Sequence, residues 1–296
     1  MTRKEAYDYG VETLENEGIE NADIDVRILL EDLCMVDREE LFLGGDKSIS
    51  RKESEAFMNA ITRRLGHYPV QYITGKQEFM GLTFSVNTDV LIPRQDTEIL
   101  VEEVLRLNID HSRILDMCTG SGCILLSLMY YSNDCEGVGA DISDQALSVA
   151  GDNAGRLAMD DTFDMLFNMG GRDVRKHIDT DRITFIQSNL FNDIRGKFDI
   201  IVSNPPYIRS GEIPDLMEEV QFEPVLALDG HEDGLYFYRE IINKAPGYLN
   251  PEGKLFFEIG CDQAADVVSL MEAAGFLDIK VVQDYAHLDR VVWGHL

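Results

Sequence analysis

The hydrophobic pattern divides the chain into three stretches. In the first, residues 1 to about 76, apolar positions follow a helical period. Ser50 and Glu53 have the spacing of a capping box, and behind them Phe57, Ile61 and Leu65 fall on one helical face. Asn21-Ala22-Asp23 opens another helix, with Ile24, Ile28 and Leu29 expected toward one side. The second stretch, 77–96, is richer in strand formers: Phe79, Leu82, Phe84, Val86, Val90 and Ile92. Asn87-Thr88-Asp89 reads as the turn between two strands, which makes this stretch a β-hairpin linker.

From residue 97 to 296 strands alternate with helices. The predicted strands are Arg113–Met117, Gly137–Asp141, Ile183–Ser188, Phe198–Asn204, Lys254–Ile259, Ile279–Gln283 and Arg290–Gly294. Short apolar strands separated by helices predict a mostly parallel, doubly wound α/β sheet. The connection Asp284–Asp289 is too short for a crossover helix, so the last strand runs antiparallel to its neighbour. Seven strands arranged this way outline the class I methyltransferase fold, here preceded by a small helical domain. There is no internal repeat or low-complexity tract.

Composition narrows the setting. The 296 residues, 45% hydrophobic, suffice for one large domain and a smaller one. Met1 to Gly10 is charged and polar, without a signal-peptide core, and the longest apolar run, Ile124–Tyr131, is too short to cross a bilayer. A cytoplasmic protein with no membrane association is expected. Cys34, Cys118, Cys123, Cys135 and Cys261 form an odd set without CxxC spacing, which indicates reduced thiols. The six histidines lack HxxxH or HExxH spacing, so no metal is expected. The net charge of −28 repels phosphate backbones and anionic membranes. It suits a basic protein partner, and equally a host whose proteins are acidic throughout.

Two motifs carry candidate chemistry. Asp116-Met117-Cys118-Thr119-Gly120-Ser121-Gly122 follows the first predicted strand and precedes a helix. Glycines at such a turn let backbone N–H groups approach a ligand at the switch point of the sheet. The spacing is not GxGxxG, which disfavours a dinucleotide. Asp141, ending the second strand, is placed to accept the ribose hydroxyls of an adenosyl group; alternatively it caps the helix beginning near Ser143. At the end of the fourth strand stands Asn204-Pro205-Pro206-Tyr207. The prolines fix φ and lack N–H groups. Asn204 and the Pro205 carbonyl thus form a rigid row of acceptors beside an aromatic ring. An amide nitrogen is a poor nucleophile, and holding both its N–H bonds fixes it and favours the charge that grows during attack. A sulfonium methyl has an excellent leaving group, so no general base is needed.

Together with these motifs the sequence resembles the peptide chain release factor glutamine methyltransferases (PrmC/HemK). The likeness runs through Pro69–Gly75, Val90–Glu98, Asn204–Ile208, Phe222-Glu223-Pro224, Ala227–Gly230, Glu232–Leu235 and Phe257–Gly260. It implies a helical amino-terminal domain, residues 1–76, that docks a bacterial class 1 release factor. It implies methylation, by S-adenosylmethionine, of the glutamine amide in the factor's Gly-Gly-Gln loop, with S-adenosylhomocysteine as product. The resemblance assigns Cys118, Thr119, Gly120, Ser121, Gly122, Asp141, Asn189, Leu190 and Asn204 to the cofactor. It assigns Asn204, Pro205, Pro206 and Tyr207 to the glutamine.

This chain departs from the family at three places. Cys118 stands where Gly is usual, in a position that favours positive φ. Asn189 replaces an Asp, keeping an acceptor but losing the charge. Residues 158–176, with Phe163, Met165, Leu166, Phe167 and Met169, look inserted and read as packing rather than as a substrate lid. Three rival readings remain open: an adenine-N6 or cytosine-N4 nucleic-acid methyltransferase, which needs the same acceptors; a silent scaffold of the same fold; and a nicotinamide oxidoreductase. The charge disfavours the first, the intact Asn204–Tyr207 and Asp141 the second, the glycine spacing the third. A monomer without direct nucleic-acid contact is expected.

Overall fold

A computed structural model describes residues 1–159 and 178–296. The inserted stretch proposed above lies, past Met159, outside the described residues. Contacts divide the chain into two compact units: 1–76 joined by 216–222, and 77–215 with 223–296.

The smaller unit contains α1 (Arg3–Asn16), α2 (Ala22–Cys34), α3 (Arg38–Leu43), α4 (Arg51–Leu65) and α5 (Val70–Thr74). Capping boxes start α1 (Thr2 with Glu5) and α4 (Ser50 with Glu53), satisfying first-turn N–H groups that the helix leaves unpaired. Leu14, Val26, Leu29, Leu30, Phe57 and Ile61 fill the core. The α2 face differs from the sequence reading: Ile24 and Ile28 are 45% and 38% exposed. The buried stripe is Ala22, Asp25, Val26, Leu29, Leu30 and Cys34. Asp25, an acidic residue that the apolar pattern turns outward, points in because Arg64 Nε donates to it at 2.6 Å within the core. A second Arg64 nitrogen pairs with Glu219, and Phe222 meets Tyr68 edge-on, so 216–222 completes this unit.

The larger unit opens with a two-stranded sheet, β1 (Lys76–Phe79) and β2 (Leu82–Ser85). Its turn is Met80-Gly81, both at positive φ (52° and 69°), rather than Asn87–Asp89. Two left-handed residues in succession match the twist of a tight hairpin. Asn87 forms a local turn, its side chain accepting from Asp89 N at 2.9 Å, but no strand follows it. Val90–Pro93 instead runs as coil.

The main sheet has the order β5-β4-β3-β6-β7-β9-β8. Its strands are β3 (Arg113–Met117), β4 (Glu136–Asp141), β5 (Ile183–Gln187), β6 (Phe198–Ser203), β7 (Leu249–Glu258), β8 (Leu277–Gln283) and β9 (Asp289–His295). β3 through β7 pair in parallel, and β9 is antiparallel to both β7 and β8, as the short connection requires. β7 starts five residues before the predicted Lys254. The added residues include an irregularity in the pairing with β6, with Glu252 at φ 64°.

Alternate strand residues face opposite sides. Ile114, Ile200, Val202 and Phe256 pack with Leu100, Val104, Leu125 and Leu128, from α6 (Gln95–Leu105) and α7 (Cys123–Tyr131). Leu115, Ile201, Leu255 and Phe257 pack with Tyr238, Ile241, Val267 and Met271, from α9 (Tyr236–Lys244) and α10 (Ala264–Ala273). With α8 (Asp144–Met159) after β4, both faces are covered. The chain leaves β3 to opposite sides, β4 and β6, and this opens a crevice at their carboxyl ends.

Candidate active site

A cavity of about 240 Å³ occupies that crevice. Its lining gathers Cys118, Thr119, Gly120, Ser121, Asp141, Asn189, Leu190, Asn204 and Pro206 of the sequence-predicted residues. Gly122, Pro205 and Tyr207 stand outside the lining. Gly122 starts α7, and Pro205 and Tyr207 belong to the turn behind Asn204. The sequence reading did not assign Pro93, Arg94, Thr97, Leu226 and Phe237, which also line the cavity.

The turn after β3 is held from beneath. Asp116, fully buried, accepts from Thr119 Oγ1 at 2.6 Å and from Leu125 N at 3.3 Å. Burial pushes its carboxyl up to about 7. Thr119 N donates to Ala140 O at 3.0 Å, tying the turn to β4. Cys118 adopts φ 63° despite its Cβ. Left-handed backbone costs a non-glycine residue about 1–2 kcal/mol, and these ties hold it there. Burial raises the Cys118 thiol well above its usual range, so it stays neutral. A Cβ on Gly120, at φ +55°, would meet no atom of the described residues within 4 Å, leaving this backbone open to a ligand.

Asp141 closes the opposite wall. Its Oδ2 accepts from Gly120 N at 2.9 Å and its Oδ1 from Ser143 N at 3.0 Å. The cap of α8 is Ser143, whose Oγ accepts from Ala146 N at 3.1 Å, and not Asp141. Each carboxylate oxygen has two lone pairs, so after one N–H bond each can accept a further donor from the cavity. Burial raises the Asp141 carboxyl and the backbone donors oppose that rise. Ser188 N donates to Asp141 O at 2.8 Å, which brings exposed Asn189 and buried Leu190 (φ 51°) to the cavity.

β6 delivers Asn204. Ser203 Oγ donates to Met117 O at 2.6 Å, locking the ends of β6 and β3 together. Asn204 Nδ2 donates to Thr97 Oγ1 at 3.4 Å, so the other end of the amide, Oδ1, is the acceptor. Tyr207 is fixed on two sides: its hydroxyl donates to Glu258 Oε1 at 3.3 Å, and its carbonyl accepts from Gln263 Nε2 at 3.0 Å. Burial, and then the Glu258 charge, raise the Tyr207 phenol, keeping it a donor. Glu258 is 1% exposed, and burial pushes it up to about 7 against the Thr97 hydrogen bond and the Arg290 charge. Sequence reasoning saw Thr97 and Glu258 only inside longer motifs. The available signal was a carboxylate ending an otherwise apolar strand. Among the described residues no group of three His, Cys, Asp or Glu is arranged to hold a metal ion. No described helix is long and apolar enough to cross a membrane.

Comparison with known proteins agrees with this architecture. The PrmC N-terminal domain profile matches residues 5–75 and the methyltransferase small domain profile residues 94–220. The chain is 39% identical over 285 residues to a release factor glutamine methyltransferase of Geobacter sulfurreducens, covering 96% of this chain and 93% of that one. A release factor glutamine methyltransferase of Clostridium acetobutylicum is 41% identical over 273 residues, covering 90% and 89%. Among solved structures, the 16S rRNA N2 G1207 methyltransferase (RsmC) of T. thermophilus, in complex with AdoMet and guanosine, shares the fold. Its TM-score is 0.50 at 15% identity, covering 74% of this chain and 49% of that one. With β3 through β9 forming the class I sheet and near-full-length similarity at both ends, the chain belongs to the release factor glutamine methyltransferase family.

Proposed function

We propose that this chain transfers the methyl group of S-adenosylmethionine to the side-chain amide nitrogen (N5) of the glutamine in the Gly-Gly-Gln loop of bacterial class 1 release factors. The observation that carries this reading is the Asn204 amide. Its Nδ2 is taken by Thr97, so its Oδ1 is an acceptor in the wall of a cavity whose other wall is Asp141 and the Gly120 turn.

The residues present fit the cofactor. The open backbone at Gly120 and the unused acceptor capacity of Asp141 suit an adenosyl group with two ribose hydroxyls. Asn189 and Leu190 in the cavity lining suit its base. When bound, S-adenosylmethionine supplies a methyl group on a sulfonium leaving group, and S-adenosylhomocysteine remains. Asn204 Oδ1 and the Pro205 carbonyl accept the two N–H bonds of the glutamine amide. They hold its nitrogen toward the cavity and favour the positive charge that grows there. Pro206 and the Tyr207 ring keep this turn rigid. The proton leaves after transfer, so the site asks for no base and no metal.

The charge of −28 supports a protein substrate over nucleic acid, because nucleic-acid affinity rests on neutralised phosphates. The reading places the enzyme in the cytoplasm, as a monomer whose residues 1–76 dock the release factor. Labelled methyl transfer from S-adenosylmethionine to a purified bacterial release factor tests it. The wild-type chain is expected to label the factor and Asn204→Ala to lose that label while still binding S-adenosylmethionine. Label on RNA or DNA but not on the factor would sink the reading.

A further inference from the structure

The reaction as described leaves one buried carboxylate without a task. Glu258 ends β7 directly behind the Asn204–Tyr207 turn, 1% exposed. Two hydroxyls reach it: Tyr207, 3.3 Å from Oε1, and Thr97 from the first turn of α6. Among the described residues its Oε2 has no hydrogen-bond partner. A buried carboxylate half of whose acceptors are idle is a poor structural staple, because desolvation exceeds what the remaining bonds return.

What the carboxylate does settle is a direction. Thr97 Oγ1 accepts from Asn204 Nδ2 at 3.4 Å and carries a single proton of its own. When Glu258 is ionised its carboxylate only accepts, and that proton goes to it. The order Asn204 N–H to Thr97 O–H to Glu258 is therefore fixed, and with it the orientation of the Asn204 amide. An amide turned by half a rotation has nearly the same shape. It would present an NH₂ where the substrate nitrogen also brings N–H bonds.

We propose that Glu258 is a positioning residue, whose carboxylate acts through Thr97 and Tyr207 to keep Asn204 Oδ1 presented as the acceptor for the substrate amide. The role rests on the methyl transfer proposed above. It is conditional on charge, since a protonated Glu258 can donate to Thr97 and reverse the chain. The groups facing it are Asp96 beside Thr97 on α6, Tyr207 after β6, Tyr238 from α9, Cys123 at the start of α7, and Arg290 from β9. Arg290 also pairs with Asp96 and Asp284, so its charge is shared. In this setting the Glu258 carboxyl loses its proton at about 7. Asn204 is therefore correctly turned on the alkaline side.

The test is steady-state methylation of a bacterial release factor by the full chain, with the S-adenosylmethionine dissociation constant and unfolding midpoint measured alongside. Wild-type kcat should fall about tenfold per pH unit below 7, as one protonation demands. Glu258→Gln should lower kcat at pH 8 by roughly tenfold or more, remove that acid limb, and leave cofactor affinity within about twofold. Thr97→Val should give a similar kcat loss, and the double variant little more, because the two act in one chain. Thr97→Ser, which keeps the hydroxyl, should restore most of the rate. A Glu258→Gln enzyme with wild-type kcat, or one that keeps the acid limb, overturns the role, as does a fully active Thr97→Val. If Glu258→Gln does not fold, the Thr97 pair and the wild-type pH profile decide by the same criteria. A wild-type chain that binds S-adenosylmethionine but leaves the release factor unmethylated overturns the methyl-transfer reading, and this one with it.

Discussion

Gly230→Ala is a one-carbon change that tests whether the position of the Asn204–Tyr207 turn sets the rate. Gly230 lies against that turn, its N–H donating to Ile208 O at 2.8 Å. A Cβ there would stand 2.7 Å from Tyr207 Cα, 2.8 Å from Tyr207 C and 2.9 Å from Pro206 O. All three are backbone atoms, so none can rotate aside. Ordinary contact begins at 3.4 Å, so the turn or Gly230 must yield by about 0.7 Å (3.4 minus 2.7). Such overpacking costs on the order of 1–3 kcal/mol of stability. A misplacement near 1 Å costs about 100-fold in rate, so a kcat loss of roughly 30-fold to 100-fold is expected. Asp141 and the Gly120 turn sit on β4 and β3, so S-adenosylmethionine affinity should hold. Initial rates of release-factor methylation, urea denaturation and cofactor calorimetry separate these effects. Gly211→Ala, whose Cβ meets no atom of the described residues within 4 Å, is the control and should behave as wild type. A Gly230→Ala enzyme with reduced stability and undiminished kcat would refute the reasoning.

Three further outcomes follow from the same geometry. Asp141→Ala strands the N–H groups of Gly120 and Ser143 and removes the proposed ribose acceptor, so cofactor affinity should fall about 10-fold to 100-fold; unchanged calorimetry would contradict the placement. Asp25→Ala leaves Arg64, itself 2% exposed, without its buried partner, and should cost about 3–5 kcal/mol by urea denaturation; an unmoved midpoint would show that Glu219 alone suffices. Asp116 has its folded carboxyl raised by burial to about 7 from 3.8. The folded chain therefore keeps a proton that the unfolded chain releases, and this contribution to stability shrinks as pH rises from about 4 to about 7. Asp116→Asn should flatten that part of the slope, by up to roughly 4 kcal/mol; identical pH dependence in both proteins would rule the assignment out.

Much of the fold was legible because local pattern and tertiary role coincide. β3, β4, β6, β7 and β9 are largely buried strands whose apolar runs end at polar turns, and the Asp284–Asp289 connection forces the antiparallel finish. Reading failed where a partner distant in sequence decided the outcome. Asp25 turns α2 because Arg64 receives it, and no pattern within α2 contains that fact. The Met80-Gly81 turn was hidden because Met rarely takes positive φ, whereas Asn87-Thr88-Asp89 has stronger turn chemistry and makes a turn that no strand leaves. In the site, Cys118, Gly120, Asp141 and Asn204 announce themselves at strand ends. Thr97 and Glu258 do not, since their importance lies in one hydrogen-bonded chain assembled from α6, β6 and β7.

The most direct test of the central claim is tandem mass spectrometry of a bacterial release factor incubated with this protein and S-adenosylmethionine, beside an Asn204→Ala reaction. The account predicts one added methyl, located on the side chain of the Gly-Gly-Gln glutamine and missing from the variant reaction. An unmodified glutamine, with a control enzyme active on the same factor, would contradict it.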